Sequence, residues 1–302
     1  MPAIIKVSGL SKKFKDIVAV DDLSFTVEEN CIYGFLGQNG AGKSTTIRML
    51  LTLIRPDSGE IEMFGHKLPD ARSEVLQQTG ALIEKPDLYK YLSAFENLKI
   101  FSRLSGIKHN RKELMEQLDH VGLAHRAGDL IKGFSQGMKQ RLGIAVALVN
   151  DPQLVILDEP VNGLDPQGIA DIRNLIIRLR DERKKTVFLS SHLLNEIEMT
   201  ADRMLIIHKG KKVVEGSVQE LLNPETQQVE LVTLHPEKTL SVISGSEWAA
   251  GVAEQGTDKI LLNMRREQIP VFTAAMAQQG VEIISIRPKH NLEDYFLKLT
   301  GH

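Results

Sequence analysis

Phosphate chemistry is the first activity that the residue types and their spacing indicate. The run Gly37-Gln38-Asn39-Gly40-Ala41-Gly42-Lys43-Ser44 matches the pattern G-x-x-x-x-G-K-S. Glycines in such a run let backbone N–H groups point at phosphate oxygens, and a helix that begins there adds the positive end of its dipole. The lysine of this pattern reaches the β- and γ-phosphates, and the serine hydroxyl ligates Mg²⁺. We therefore expect Lys43 and Ser44 to hold a nucleoside triphosphate with Mg²⁺.

Two adjacent carboxylates are the second feature with chemical potential. Asp158 and Glu159 follow residues 154–157, a short apolar run that predicts a buried strand. Side chains alternate along a strand, so the two carboxylates point to different places. Asp158 can hold Mg²⁺ through water, and Glu159 can orient an attacking water and accept its proton. Alone the pair also fits an acidic turn after a strand; together with residues 37–44 it indicates phosphate hydrolysis.

A third feature, Ser135, precedes a long helical pattern. The run is Phe134-Ser135-Gln136-Gly137-Met138. At a helix start, a serine hydroxyl and free backbone N–H groups can face an anion. Taken by itself, Ser135 also fits a plain N-cap.

These side chains need strands and helices to position them, and the flanking patterns supply both. Residues 31–36 predict a buried strand before the glycine-rich loop, and residues 45–51 have helical apolar spacing after it. Further along, strands alternate with helices, which indicates a mainly parallel α/β sheet. The other predicted elements are strands at residues 4–7, 23–27, 154–157, 186–190, 204–207 and 211–214, and helices at residues 93–104, 111–118, 135–150 and 169–180.

A second, smaller domain is predicted, and Pro224 marks the region of the boundary. We place the boundary between residues 1–221 and residues 222–302. Three predicted strands and one helix give the smaller part an α+β character; they are residues 228–234, 260–263, 281–286 and, for the helix, 271–279. No residues there have catalytic spacing, and Trp248 fits a core position better than a site. Regulation, dimerisation and stabilisation all remain open as its role.

The composition of the chain limits which partners and which kinds of site it can have. The chain has 302 residues, a formal net charge of −2 and 42% hydrophobic residues. That charge gives no overall attraction to nucleic acid or anionic lipid. A single cysteine, Cys31, excludes an internal disulfide and disfavours a cysteine-based zinc site. No signal peptide is evident at the N-terminus, and no apolar run reaches the roughly 18 residues that cross a bilayer. Work at a membrane would need another chain.

In combination and in order, these motifs resemble the ABC-type ATPases over about residues 3–217. The resemblance implies a P-loop NTPase fold of the α/β class, with an N-terminal antiparallel β part, a helical subdomain at about residues 86–150 and the small C-terminal α+β domain. Leu164 and Asp165 resemble the family's D-loop, and His192 resembles its switch histidine. Phe14 occupies the place of the aromatic residue that stacks on adenine.

The resemblance also implies cofactors and site residues. ATP and Mg²⁺ are the implied cofactors, and Glu159, His192 and Lys43 are the implied catalytic residues. The implied metal ligands are Ser44, Asp158 and Glu84. The implied ATP contacts are Phe14, Gly37, Gln38, Asn39, Gly40, Ala41, Gly42, Lys43, Ser44 and Thr45, joined by Ser135 and Gly137 from a second chain.

A second chain is implied because the family's ATP sites lie between two domains that face head to tail. Each ATP would lie between one P-loop and the partner's signature residues. This sequence has one set of motifs, so it needs a second copy or a close relative, and we expect a homodimer. ATP would close the dimer and hydrolysis would open it.

Two departures from the family pattern narrow the resemblance. Gln136 stands where the signature, usually Leu-Ser-Gly-Gly-Gln, has glycine. Glu84 stands where a glutamine usually contacts Mg²⁺; the alternative is that it points to solvent beside Lys85. Glutamate there resembles transporters of the bacitracin-resistance and lantibiotic-immunity type. Residues 82–98, 134–148 and 291–299 also look similar to theirs.

The resemblance implies an export ATPase that powers a separate membrane permease, with an antimicrobial peptide or drug as substrate. It would lie on the cytoplasmic face of a bacterial membrane, and no nucleic acid partner is expected. The apolar cluster Leu88, Tyr89, Tyr91, Leu92 and Phe95 would either pack internally or receive the permease's cytoplasmic helix. The alternative is a soluble ABC ATPase acting on nucleic acid or ribosomes, but such proteins typically fuse two cassettes or insert a coiled coil. A P-loop kinase would leave residues 134–138 and His192 unexplained.

Overall fold

The computed structural model describes residues 2–222, 227–256 and 259–288. The chain divides into two compact units, Met1–Val218 and Gln219–His302. The boundary predicted at residues 221 and 222 stays a prediction.

The larger unit combines two sheets with seven helices among its described residues. Its strands are β1 Ala3–Phe14, β2 Ile17–Glu28, β3 Ile32–Leu36, β4 Ser58–Met63, β5 His66–Leu68, β6 Thr79–Leu82, β7 Leu154–Asp158, β8 Thr186–Ser191, β9 Arg203–His208 and β10 Lys211–Ser217. Its helices are α1 Lys43–Leu50, α2 Arg72–Gln77, α3 Ala94–Leu104, α4 Arg111–His120, α5 Gln136–Ala147, α6 Pro166–Asp181 and α7 Leu194–Thr200; α8 Val218–Leu222 begins at the division between the units.

The central sheet has the order β10-β9-β3-β8-β7-β6, and only β10 runs antiparallel to its neighbour. Every residue of β3, β7 and β8 is buried, as expected for parallel strands that are covered on both faces. The β9–β10 hairpin turns at Lys209 and Gly210, which both have positive φ. The predicted mainly parallel α/β sheet is therefore confirmed.

An antiparallel sheet, in the order β2-β1-β4-β5, forms the N-terminal β part. Strands β1 and β2 have 12 residues each, far longer than the predicted residues 4–7 and 23–27. The register between them shifts at four places, so the regular alternation that marks a strand is broken along both. This irregularity explains why the pattern revealed only the part of each strand that lies farthest from the turn between β1 and β2.

Aromatic rings fill the core of the larger unit. Phe25 of β2 packs against Tyr33 and Phe35 of β3 and Phe188 of β8, with ring centroids 5.8 to 6.0 Å apart. The Tyr33 hydroxyl donates a 2.7 Å hydrogen bond to Glu215, so its polar tip is satisfied inside the core. Burial is the main reason that the pKa of Cys31 rises to about 11. This cysteine is therefore a small core side chain.

Helices α3, α4 and α5 form the helical part, and their starts are fixed by capping side chains. Ser93 and Glu96 form a capping box at the start of α3, and Asn110 with Glu113 forms a second box at α4. Ser135 accepts a 3.2 Å bond from Met138 N and caps α5. Residues 86–93, at the start of the implied helical subdomain, form a loop without helix.

The smaller unit has the order β-α-β-β-α-β. Its elements are β11 Gln227–Thr233, α9 Pro236–Ser244, β12 Val252–Gln255, β13 Ile260–Met264, α10 Gln268–Gln278 and β14 Ile283–Pro288. The sheet order β12-β13-β11-β14 with antiparallel pairing is a ferredoxin-like arrangement. Trp248 packs edge-on against Phe272 with ring centroids 5.5 Å apart, so it belongs to the core. Residues 291–299 lie outside the described residues.

Within residues 2–222, 227–256 and 259–288, none of the helices is both long and apolar enough to cross a bilayer.

Gly80 tests the packing of α5 on the central sheet. A Cβ atom at Gly80 would lie 1.9 Å from the backbone oxygen of Ala147, the last residue of α5. We expect Gly80→Ala to lower the free energy of unfolding by at least about 1–3 kcal/mol, because backbone atoms have to move apart. Urea unfolding followed by circular dichroism measures this. Gly133→Ala is the control, since its Cβ would meet nothing within 4 Å; equal midpoints for the two variants would contradict the packing described.

Candidate functional site

The glycine-rich run lies between β3 and α1, in the strand–loop–helix context that its chemistry requires. Gly42 is the N-cap of α1 with φ 109°, and a Cβ there would lie 2.4 Å from the backbone oxygen of Ala19. A Cβ on Gly37 would lie 2.7 Å from the backbone oxygen of Ile207. Close backbone approach therefore requires glycine at both positions, and the positive φ of Gly42 is a second reason there.

The rest of the run differs in exposure along its length. Asn39 and Gly40 are exposed, while Ala41 is buried against the core. Gln38, Ser44 and Thr45 are half-buried. The side chains that follow Gly42 thus begin the first turn of α1, where unpaired N–H groups favour an anion.

Lys43 has a buried ammonium group, and its side chain is only 5% exposed. Its Nζ donates to the backbone oxygen of Gly37 at 2.6 Å and of Gln38 at 3.2 Å. The same Nζ lies 3.1 Å from Oε1 of Glu159. A phosphate that enters the loop therefore competes with Glu159 for this ammonium.

Glu159 links Lys43 to His192. Its second oxygen, Oε2, lies 2.7 Å from Nδ1 of His192, which donates when that nitrogen carries the proton. Glu159 immediately follows β7 and has φ 50°, a left-handed backbone that is rare for this residue type. The three residues predicted to be catalytic thus form one connected chain.

Asp158 is buried and is held by Ser190 across the sheet. Ser190 Oγ donates to Asp158 Oδ1 and accepts a 3.0 Å bond from Glu159 N. The other oxygen, Asp158 Oδ2, is buried and has no hydrogen-bond partner among the described residues. A buried carboxylate oxygen left unpaired is costly, and a hard cation would satisfy it.

The residues present fit Mg²⁺. This ion is commonly bound by one or two protein oxygens together with substrate phosphates and water. In the described part of the chain, no group of three or more His, Cys, Asp or Glu could hold a metal by itself. Asp158 and the Ser44 hydroxyl at the start of α1 would accordingly hold the ion together with phosphate oxygens.

The predicted partner-facing residues line a separate cavity of about 290 Å³. Ser135, Gln136 and Gly137 lie on one side, with Leu164 and Asp165 on the other. No residue of 37–44 lines it. The side chain of Gln136 donates a 3.3 Å bond to the backbone oxygen of Asn162, so it connects the start of α5 to the loop before α6.

Glu84 and Phe14 lie at exposed positions. Glu84 has φ 57°, its side chain is 63% exposed, and it forms an ion pair with Arg48 of α1. Its contact with Mg²⁺ therefore stays a prediction. Phe14 ends β1 and is 43% exposed, with Lys12 Nζ 5.5 Å from its ring centroid. An exposed ring at this point is available for stacking on a planar ligand, and its role also stays a prediction.

Two residues that support the site, Ser190 and Arg173, were not predicted from the sequence. Ser190 is the polar residue that follows the apolar run 187–189, and this break in the pattern was the available signal. Arg173 of α6 makes a bidentate pair with Glu196 of α7 at 3.1 to 3.3 Å. The pair joins the helix that follows Asp165 to the helix that follows His192. No local pattern marks it, because the partners are 23 residues apart.

We expect Ser190→Ala to lower the free energy of unfolding by about 1–3 kcal/mol, because two buried polar atoms, Asp158 Oδ1 and Glu159 N, lose a partner. Urea unfolding is the measurement, and Ser8→Ala, at an exposed position of β1, is the control. A Ser190→Ala midpoint equal to that of Ser8→Ala would show that the hydroxyl does not hold the two groups.

Comparisons with known proteins agree with this geometry. The family model "ABC transporter" matches residues 20–162. The bacitracin transport ATP-binding protein BcrA of Bacillus licheniformis is 42% identical, with 100% of this chain and 98% of that protein covered. A Nod factor export ATP-binding protein I of Cupriavidus pinatubonensis is 34% identical, covering 100% of this chain and 92% of that protein.

A solved structure is similar as well. The dimeric structure of MJ0796, a bacterial ABC transporter cassette, has a TM-score of 0.64 and 25% identity, and covers 71% of this chain and 98% of that one. The P-loop NTPase fold and the resemblance to ABC ATPases are thereby confirmed. With the strand–loop–helix phosphate site, the buried Asp158 and the Lys43–Glu159–His192 chain already in place, the chain belongs to the ABC transporter ATP-binding subunits and is an ATPase.

Proposed function

We propose that this chain hydrolyses ATP in a head-to-tail dimer with a second copy and thereby drives export by a separate membrane permease. The substrate we propose is an antimicrobial peptide or a drug-like compound, because a relative with 42% identity is named for bacitracin transport. In this proposal the subunit lies at the cytoplasmic face of a bacterial membrane. The transport relatives favour this function over action on nucleic acid or ribosomes.

One observation carries the proposal of a shared ATP site. Lys43, Glu159 and His192 contact one another, and none of them lines the cavity beside Ser135. Phosphate binding and hydrolysis belong to the first group, while the second offers a capped helix start with a hydroxyl and free N–H groups. A second copy would supply the second group to the first.

Within one subunit, Lys43, Glu159 and His192 have distinct tasks. Lys43 neutralises charge on the β- and γ-phosphates, and in doing so it leaves Glu159. Glu159, no longer paired with an ammonium, accepts a proton from the attacking water. His192 holds Oε2 of Glu159 and fixes the orientation of that carboxylate. Mg²⁺, when bound at Asp158 and Ser44, supplies charge neutralisation on the transferred phosphate.

Glu159→Gln tests the hydrolytic role and dimerisation together. The amide keeps the shape of the side chain but cannot accept the proton, so we expect kcat to fall about 10²–10⁴-fold. We also expect tighter ATP binding, because Lys43 no longer has a carboxylate to leave. Size-exclusion chromatography with ATP and Mg²⁺ should show a stable dimer.

The control for that variant is Glu182→Gln, which removes an exposed carboxylate at the end of α6. It should keep wild-type turnover. If Glu159→Gln stays monomeric with ATP and Mg²⁺ under conditions in which the wild type turns over, the proposed shared site is wrong.

Glu84→Gln tests whether the unusual carboxylate affects the metal. The substitution removes the negative charge that now pairs with Arg48. We expect ATP binding to persist, with a changed Mg²⁺ dependence of turnover and changed coupling to transport. A titration of ATPase activity with Mg²⁺ measures the first effect. An unchanged titration curve together with unchanged transport would place Glu84 outside the metal site.

A further inference from the structure

Helix α7 follows His192 closely and influences where this side chain lies. Only Leu193 separates His192 from α7, which spans Leu194–Thr200. The helix has seven residues, and its N-cap, Leu193, makes no side-chain hydrogen bond to it. A helix this short is not stable by itself, and a missing side-chain cap weakens its first turn further. Contacts with other elements must therefore hold α7 in place and, through it, His192.

Apolar packing holds α7 against the central sheet. Leu194 and Ile197 are buried, and a Cβ atom on Gly34 of β3 would lie 2.6 Å from Cγ2 of Ile197. These contacts keep the helix close to β3. The hydrophobic effect is non-directional, however, so they define the rotation of α7 less sharply than hydrogen bonds would.

A directional contact comes from the neighbouring helix α6. Arg173 meets both carboxylate oxygens of Glu196, in the first turn of α7, through hydrogen bonds of 3.1 to 3.3 Å. The two side chains are 24% and 13% exposed, respectively. Bidentate arginine–carboxylate pairs have a narrow geometry, and salt screens a partly buried pair less than an exposed one. The pair therefore fixes the first turn of α7, close to His192.

Helix α6, which carries Arg173, is held more firmly than α7. It has 16 residues, and Asp165 caps it by accepting a 2.9 Å hydrogen bond from Gly168 N. Four of its apolar side chains are buried, those of Ile172, Leu175, Ile176 and Leu179. Its first turns also line the cavity beside Ser135. The support of α7 is thus the same helix that faces the cavity expected to meet the ATP of a second copy.

We propose that Arg173 and Glu196 are positioning residues for ATP hydrolysis. Their pair holds α7 where Nδ1 of His192 can contact Oε2 of Glu159. The inference rests on the roles proposed above for His192 and Glu159. Without the pair, apolar packing would keep α7 on the sheet, but its first turn would no longer be held to α6. Glu159 would then be oriented by His192 for a smaller part of the time.

Loss of the pair should therefore separate turnover from binding. ATP affinity depends on Lys43 and the phosphate loop, and α7 carries neither. The hydrolytic step depends on the orientation of Glu159, and a misplacement of about 1 Å can lower a catalytic rate about 10²-fold. We expect Arg173→Met to lower kcat about 10–100-fold and to change ATP affinity less than about threefold.

The test uses the full chain and measures ATPase activity, affinity for a fluorescent ATP analogue and the thermal midpoint of unfolding. The double variant Arg173→Met/Glu196→Met removes the carboxylate that Arg173→Met leaves unpaired. Replacing both partners of an ion pair costs less stability than removing one. We therefore expect the double variant to regain much of the thermal midpoint but not kcat, an outcome that a merely stabilising pair would not give.

Arg180→Met is the matched control. Arg180 also belongs to α6, its side chain is also 24% exposed, and its ion-pair partners Asp181 and Asp202 lie outside α7. We expect Arg180→Met to lower the thermal midpoint, as Arg173→Met does, and to keep the kcat of the wild type.

His192→Ala shows whether the pair acts through the imidazole. Once the imidazole is absent, loss of the pair has nothing left to misplace. We expect Arg173→Met to lower kcat less than about twofold in the His192→Ala background, against about 10–100-fold in the wild type. Release of radiolabelled phosphate measures the low rates of these variants.

Three results would overturn the inference alone, provided that His192→Ala and Glu159→Gln do lose turnover. They are a wild-type kcat in Arg173→Met, equal losses of kcat in Arg173→Met and Arg180→Met, and the same loss from Arg173→Met with and without His192. If His192→Ala and Glu159→Gln instead keep wild-type turnover, the proposed hydrolytic roles fail, and this inference fails with them.

Discussion

The parallel register of β3, β7 and β8 is the constraint on which the site depends. Leu36 pairs with Ser191, and Asp158 pairs with Ser190. The carboxyl ends of the three strands therefore lie at one edge of the sheet. The segments that follow the strands all start at this edge, close to one another. Glu159 and His192 are 33 residues apart in the sequence, and the phosphate loop lies farther still from both. Strand pairing nevertheless brings the three together, so that Glu159 contacts both His192 and Lys43 of the loop.

Charge compensation then determines how this edge behaves. A buried ammonium is unfavourable unless it is paired, and Lys43 has two carbonyl oxygens and Glu159 around it. The carboxylate that compensates Lys43 is also the one expected to accept a proton. Replacement of this carboxylate by phosphate oxygens therefore links binding to readiness for hydrolysis. Asp158 takes no part in this replacement, because its Oδ1 accepts a hydrogen bond from Ser190 instead of pairing with Lys43. The Oδ2 atom of Asp158 is left unpaired.

The sequence was most informative where chemistry requires particular residues at fixed spacing. The phosphate loop, the strand before Asp158 and the cap at Ser135 were predictable for that reason. The register shifts of β1 and β2 concealed their length. Strands β5 and β6 were not predicted because they are short, and β4 was not predicted because its first half is polar and exposed. Long-range partners were also beyond a local pattern: Gln136 meets Asn162 and Glu84 meets Arg48, and neither pairing follows from spacing.

The left-handed backbone of Glu159 limits what can replace it. At φ 50°, glycine, asparagine and aspartate are tolerated readily, while valine, isoleucine and threonine place a branched Cβ against the backbone. A branched substitution would therefore strain the turn after β7 and shift the backbone N–H that Ser190 accepts. Loss of turnover in such a variant would combine a distorted turn with an absent carboxylate. Both the side chain and the main chain thus constrain this position. Loss of activity in a branched variant would therefore not by itself show that the carboxylate is needed for hydrolysis.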